Sequence, residues 1–324
     1  MAAMLLEISD LRLVFHTPQG IVHALNGVNL TLEKGKVLGI VGETGCGKSV
    51  TGLSIMRLVP CPPGRYVSGE VLFEGNDLLK LPITEIRDLR GREIAMIFQD
   101  PMTSLNPVLS AGDQVAEAMQ LHQHIGRREA IMKAAELFEN VKMPDPQEMT
   151  LRYPHQLSGG MQQRVMIAMA LSCKPKLLIA DEATSALDVT IQAQVLSLMR
   201  ELKNKTGLTL LLITHDMGVV AEMCDDVAVM YAGSVVESGD LSEVFNKPLH
   251  PYTRGLLNCI PKPHVKEEKL PTIGGSVIDL INLPSGCAFE PRCAESQDIC
   301  RKETPTEAFV GRSHRVRCFL NSGS

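Results

Sequence analysis

Apolar and polar positions take turns along the chain in two different periods. Val28, Leu30 and Leu32 alternate with polar residues, the period of a half-buried strand, and Glu33-Lys34-Gly35-Lys36 predicts a turn after it. Val37–Val41 is short and continuously apolar, which reads as a buried strand. From Ser49 to Val59 the apolar residues recur at helical spacing until Pro60, Pro62 and Pro63 stop them. Val71–Phe73 and Ile94–Phe98 predict two more strands. Ile131, Ala134, Phe138 and Val141 mark one face of a helix that Pro144 and Pro146 end. Leu177–Ala180 and Leu208–Thr214 are β-prone apolar runs, separated by a helix from Val189 to Lys205 with Gly207 placed to stop it. Strands alternating with helices argue for an α/β domain with a largely parallel sheet. The mainly helical stretch from Asp100 to Ser158 lies between two strands and reads as an insertion. No internal repeat is visible. From residue 248 onward Pro248, Pro251, Pro261, Pro263, Pro271 and Pro284 punctuate the chain, predicting a separate, loop-rich tail.

Length and charge narrow the classes. The 324 residues leave room for two domains at the usual ~150 residues each. With 32 basic against 37 acidic residues, the net charge of −5 argues against a free-standing nucleic-acid binder. The absence of Trp, with only 8 Phe and 4 Tyr, removes base-stacking platforms. The longest apolar runs, such as Leu208–Ile213, fall far short of the ~20 residues of a membrane span. Met1–Phe15 carries Glu7 and Asp10 and lacks the charged-then-apolar order of a signal peptide. A cytoplasmic protein is expected, where structural disulfides are rare.

Three short stretches carry chemistry. Gly42-Glu43-Thr44-Gly45-Cys46-Gly47-Lys48-Ser49 fits the GxxxxGK[ST] phosphate loop and lies between a predicted strand and a predicted helix. Its glycines let backbone N–H groups converge on phosphate oxygens at a helix start. Lys48 would neutralise the β- and γ-phosphates and the Ser49 hydroxyl would ligate Mg²⁺. Leu177-Leu178-Ile179-Ala180 ends in Asp181 and Glu182, the first suited to hold Mg²⁺ and the second to polarise an attacking water. In Leu157-Ser158-Gly159-Gly160-Met161-Gln162-Gln163-Arg164, Ser158 reads as an N-cap. On physical grounds this is either a second helix start suited to an anion or simply a capped helix.

The stretch LSGGMQQR is similar to the signature motif of ATP-binding cassette (ABC) ATPases, and with it residues 5–245 resemble that family in order. The resemblance implies an α/β P-loop NTPase of ABC type, with a RecA-like core, a helical insertion at 100–165 and an N-terminal β subdomain. It implies a cassette over 1–247 and a Cys-containing extension over 248–324. It assigns Phe15 to stacking on adenine, and Gly42–Ser49 with Val50 to the nucleotide. Gln99 is assigned to Mg²⁺ and the attacking water, His215 to the γ-phosphate. Ser185-Ala186-Leu187-Asp188 corresponds to the loop that crosses to a second ATPase. Ala183 departs from the family's usual proline without removing a catalytic group. Ser158, Gly159 and Gly160 would cap the ATP held by the partner. Since one phosphate loop is present, the chain must pair with a second ATPase.

Subfamily detail sharpens the resemblance. Phe98–Pro107, Tyr153-Pro154-His155-Gln156 and His250-Pro251-Tyr252-Thr253 resemble dipeptide, oligopeptide and nickel importer ATPases, and LSGGMQQRVMIAMAL looks like their D-type subunit. Implied partners are an F-type ATPase, two transmembrane permeases and an extracytoplasmic solute-binding protein, with the chain on the cytoplasmic face of the membrane. Two rival readings are a non-transport ABC ATPase acting on nucleic acid or ribosomes, and an ATP-dependent iron–sulfur assembly protein.

Nine cysteines are spread unevenly, with Cys287, Cys293, Cys300 and Cys318 all in the tail. Four thiolates can hold a [4Fe–4S] cluster or Zn²⁺, and unmetallated thiols are the third reading. The short C-x₂₋₄-C knuckle usual for zinc is missing, and the importer resemblance implies the iron cluster. The neighbouring basic run Arg312–Arg317 either offsets cluster charge or is a solvated face. Cys46, at a helix N-terminus beside Lys48, is either a reactive low-pKa thiol or a passive small residue.

Overall fold

The computed structural model describes residues 3–185, 187–260, 272–311 and 313–321. Ala186, Pro261, Pro263, Pro271 and Arg312 lie outside the described residues. The chain divides into two units, Met1–Leu79 with Leu212–Ser324, and Lys80–Leu211.

In the first unit, the alternation read at Val28–Leu32 belongs to a longer strand. Gly20–Glu33 pairs antiparallel with Met4–Thr17, which pairs on its other side with Gly64–Phe73. Leu6, Ile8, Leu11, Leu13, Leu25, Val28 and Leu32 are buried from these strands. Register shifts between Ile8 and Leu11 and again beside Leu13 break the strict period of two, so the pattern conceals the full length of Met4–Thr17. A second sheet is centred on Val37–Val41, buried at every position and parallel to Asp226–Tyr231. Helix Lys48–Ile55 follows and stops well before Pro60, because Arg57 turns left-handed at φ 48°.

Antiparallel pairing enters at the outer edge. Asp226–Tyr231 pairs with Ser234–Asp240, and that strand takes the short tail strand Arg315–Val316 on its far side. The tail is therefore tied down at several of its described residues. Glu237, fully buried, accepts from the Leu249 N–H at 2.7 Å and the His250 N–H at 2.9 Å, and faces His314 Nε2 at 2.7 Å. Arg317 donates to the Gly27 carbonyl at 2.8 Å and the His23 N–H to the Leu280 carbonyl at 2.9 Å. Arg315 lies over the Phe309 ring, 5.0 Å from its centroid. The described part of the basic run is not a solvated face: His314 and Arg317 are anchors of the fold.

The second unit holds the parallel pair Ile94–Ile97 and Leu177–Asp181, with Ile94 opposite Leu177. Helices Ala111–Gln123, Arg127–Asn140 and Gly159–Leu171 form the helical insertion around Val115, Ala116, Ala130, Ala134, Phe138, Val165 and Ile167. Helix Val189–Thr206 ends at Gly207, whose N–H donates to the Lys203 carbonyl.

His250 gives the first unit a pH dependence. It is fully buried, its Nδ1 accepts from the Tyr252 N–H at 3.0 Å, and burial pushes its pKa down from 6.5 to about 4. A histidine so depressed binds fewer protons folded than unfolded. Its stabilisation is intact above pH 6.5 and is lost as the pH falls through that range towards 4. The full loss is about 3 kcal/mol at 1.4 kcal/mol per pH unit. Urea midpoints between pH 7.5 and 4.5 should fall accordingly, and His250→Asn, which keeps an acceptor for the Tyr252 N–H, should flatten that slope.

Candidate functional site

The phosphate loop sits in the first unit, where strand Val37–Val41 hands over to helix Lys48–Ile55. Gly42 has φ 155°, and a Cβ there would lie 2.2 Å from the Met230 carbonyl oxygen. Gly47 has φ 104°, with the Ala24 carbonyl 2.7 Å from the same imaginary atom. Only glycine lets the backbone pass these two points. No side chain caps the helix N-terminus, which leaves its first N–H groups and positive dipole end for an anion. Lys48 is buried, and its Nζ donates to the Gly42 carbonyl at 2.8 Å and the Glu43 carbonyl at 3.1 Å. Thr44 and Gly45 are exposed, Ser49 and Val50 half-buried. The Cys46 carbonyl accepts from the Gly233 N–H at 2.9 Å, and Thr51 Oγ1 donates to the Gly47 carbonyl at 3.0 Å.

Cys46 is 3% exposed, and burial pushes its thiol pKa up against the pull of Lys48. It is the passive small residue of the two readings. Phe15 lies half-buried in strand Met4–Thr17 opposite Val22 and Gly64. His215 is exposed between strand Thr209–Thr214 and helix Met217–Met223, which Asp216 caps through the Gly218 and Val219 N–H groups.

The second unit brings together Gln99 and Glu182: Gln99 Nε2 donates to Glu182 Oε2 at 3.0 Å. Asp181 is buried at the end of strand Leu177–Asp181, and Glu182 leaves it with φ 45°. A left-handed glutamate is strained by about 1–3 kcal/mol, the kind of strain that collects at working sites. Ser158 caps helix Gly159–Leu171 by accepting from the Met161 N–H at 3.4 Å; Ser158 and Gly159 are exposed, and Gly160 packs on Ile191. Asp188 caps helix Val189–Thr206 through the Ile191 N–H at 3.0 Å.

Pattern reading missed the partners of Glu43. The Arg292 guanidinium grips its carboxylate in a fork, Nη1 to Oε2 at 2.6 Å and Nη2 to Oε1 at 2.9 Å, with the Arg292 side chain 4% exposed. Tyr252, quoted only as part of a subfamily stretch, accepts from the Glu43 N–H at 2.9 Å. Two residues 249 positions apart share no local signal.

Cys287, Cys293, Cys300 and Cys318 all line one cavity in the tail, together with His250, Phe289 and Phe319. The clustering expected from their density is there, but the expected metal geometry is not. Among the described residues no group of three or more His, Cys, Asp or Glu side chains is arranged to hold a metal ion. The cavity, about 20 Å³, has room for one water. Burial and the neighbouring thiols push Cys287 up to about 11, and burial raises Cys293 and Cys318 as well, so these thiols keep their protons at neutral pH. In this form the cavity does not fit a four-iron cluster.

A glycine-gated phosphate loop, a strand ending in Asp181 and Glu182, and a capped Ser-Gly-Gly helix start are the parts of an ATP-binding cassette ATPase. The chain belongs to that family: residues 25–185 match the ABC transporter family. Residues 236–300 match the C-terminal region of oligopeptide/dipeptide transporters. It is 49% identical to the oligopeptide transport ATP-binding protein OppD of Salmonella typhimurium, over 95% of this chain and 91% of that one. The dipeptide transport ATP-binding protein DppD of Bacillus subtilis is 47% identical, over 97% and 94% respectively. Among solved structures, a dimeric ATP-binding cassette in a post-hydrolysis state with ADP and phosphate superimposes with a TM-score of 0.65 at 27% identity, covering 73% of this chain and 98% of that one. Among the described residues no helix is long and apolar enough to cross a membrane.

Two loop glycines should separate by what surrounds them. Gly42→Ala drives a Cβ into the Met230 carbonyl, whereas a Cβ at Gly45 meets nothing within 4 Å and suffers only its φ of 83°. Gly45→Ala should cost about 1 kcal/mol, and Gly42→Ala clearly more, with ATP affinity falling in the same order. Urea titration and nucleotide titration of the two variants check the ranking.

Proposed function

We propose that this chain hydrolyses ATP to power uptake of di- and oligopeptides, or a related solute such as nickel, through partner membrane permeases. The observation that carries the catalytic half is the Gln99–Glu182 pair at 3.0 Å, which orients a strained carboxylate at the end of a buried strand. Glu182 acts as general base on the attacking water. Lys48 would neutralise the β- and γ-phosphates, Ser49, Asp181 and Gln99 would each be a ligand of Mg²⁺, His215 would contact the γ-phosphate and Phe15 would stack on adenine. Ser158, Gly159 and Gly160 cap the nucleotide of a second, F-type ATPase, and Asp188 stands in the loop that crosses to it. ATP bridging the pair favours the closed state, and hydrolysis removes the charge that holds it. The cassette spans 1–247 and the extension 248–324.

The assembly includes two permeases and an extracytoplasmic solute-binding protein, with this chain peripheral on the cytoplasmic face. Named relatives that transport oligopeptides and dipeptides support this over an ABC ATPase acting on nucleic acid or ribosomes, as does the net charge of −5. For the tail, the finer reading is a [4Fe–4S] cluster, with Zn²⁺ as the alternative, on Cys287, Cys293, Cys300 and Cys318. Four thiols facing one cavity support it, and it requires that cavity to open and the thiols to lose their protons.

In the assembled transporter, Glu182→Gln should retain ATP binding and lose hydrolysis by about 10²–10⁴-fold; undiminished turnover would remove Glu182 from the mechanism. Anaerobic purification with iron, sulfide and zinc assays tests the tail: close to four irons with matching sulfide supports the cluster, stoichiometric zinc supports the alternative, and no metal leaves plain thiols.

A further inference from the structure

Position 43 is one at which the phosphate-loop motif asks for no particular side chain. Here it is held twice. The Arg292 fork closes on its carboxylate, and Arg292 is itself aimed by its Nε, which donates to the Gly274 carbonyl at 2.9 Å. The Glu43 N–H donates to the Tyr252 hydroxyl. Tyr252 is fully buried, and its ring lies 4.8 Å from Tyr231 and 5.3 Å from Phe289. Tyr231 ends the strand whose Met230 carbonyl closes on Gly42, so one aromatic cluster backs both sides of the loop's entrance.

The two carbonyls that Lys48 grips, those of Gly42 and Glu43, flank this holding point. Any swing of Glu43 would carry them, and the ammonium with them, away from their places. A buried ion pair adds little net stability, because desolvating both charges offsets their attraction. What a bidentate Arg–carboxylate fork does supply is geometry.

We propose that Arg292 and Tyr252 are positioning residues for the phosphate loop: the C-terminal extension clamps Glu43 by side chain and backbone and so holds Lys48 where the nucleotide's phosphates need it. The proposal rests on the reading of 42–49 as the nucleotide site. It makes the extension part of the apparatus that binds ATP, through contacts that touch no nucleotide atom.

The test uses the complete chain with three conservative substitutions: Glu43→Gln, Arg292→Gln and Tyr252→Phe. Each should weaken ATP binding about tenfold, and the Glu43→Gln/Arg292→Gln double variant should be no weaker than either single one. A second readout needs no nucleotide. Cys46 is a buried member of the loop, 3% exposed, so its alkylation rate, followed by peptide mass spectrometry, reports loosening of the loop. That rate should rise at least several-fold in all three variants, while alkylation of Cys287, Cys293 and Cys300 stays at the wild-type rate. Wild-type ATP affinity and an unchanged Cys46 rate in folded variants would overturn the clamp, leaving Arg292 a tether of the tail. Faster alkylation of the tail thiols alongside Cys46 would do the same, since the variants would then act by unfolding the extension. If the wild-type chain itself binds no ATP, the nucleotide reading falls and the Cys46 rates alone decide the clamp.

Discussion

A loop that must aim backbone N–H groups at phosphate oxygens has few of them left to hold itself together; here the Cys46 N–H turns back to the Glu43 carbonyl at 3.3 Å and the Glu43 N–H goes to Tyr252. Its shape has to be imposed from outside, and most of the first unit can be understood as doing so. Val37–Val41, buried at every position and paired with Asp226–Tyr231, fixes where the loop begins. The Met230 carbonyl leaves room only for glycine at 42, and the Gly233 N–H takes up the Cys46 carbonyl. Thr51 binds back to the Gly47 carbonyl and fixes where the loop ends. The contacts at Cys46 and Gly47 fall on carbonyls and the one at Gly42 on a Cα, and no side chain caps the helix, which leaves its N-terminus open to an anion.

Two carboxylates show how the tail is joined to this scaffold. Glu237 is fully enclosed and satisfied by two backbone N–H groups and His314, while Glu43 is partly exposed and satisfied by Arg292 and, through its own N–H, by Tyr252. An enclosed carboxylate left without donors would cost several kcal/mol, so the segments that carry those donors have little freedom to leave. The described parts of a proline-punctuated sequence with few apolar runs are placed in this way, by a few buried polar contacts together with the ring cluster of Tyr231, Tyr252 and Phe289.

What the amino-acid pattern made legible, and what it hid, follows from range. Val37–Val41, Leu177–Asp181 and the stop at Gly207 depend on adjacent residues, and were readable to within a residue or so. The phosphate loop, Asp181, Glu182 and the Ser158 cap are equally local. Met4–Thr17 was not read as a strand from its pattern, because its bulges near Ile8 and Leu13 break the alternation that reveals one. The pairing of Arg315–Val316 with Ser234–Asp240 is two residues long and leaves no periodic trace. Helix-terminus electrostatics alone would make Cys46 a reactive thiol; burial outweighs Lys48 there and leaves the passive one of the two readings. Cysteine density foretold that the four tail thiols would meet, but spacing along the chain does not set the size of the cavity between them.

The distance along the chain between Glu43 and Arg292 has a meaning in time. The two are separated by 249 residues, and the whole of the second unit is encoded between the two segments of the first. At a synthesis rate of about 5–20 residues per second, Arg292 is added roughly 12–50 s after Glu43. During that interval the ribosome carries a phosphate loop whose outer partner does not yet exist, and the whole of Lys80–Leu211 is made before that partner is. Completion of the nucleotide loop is therefore among the last events of the chain's own synthesis.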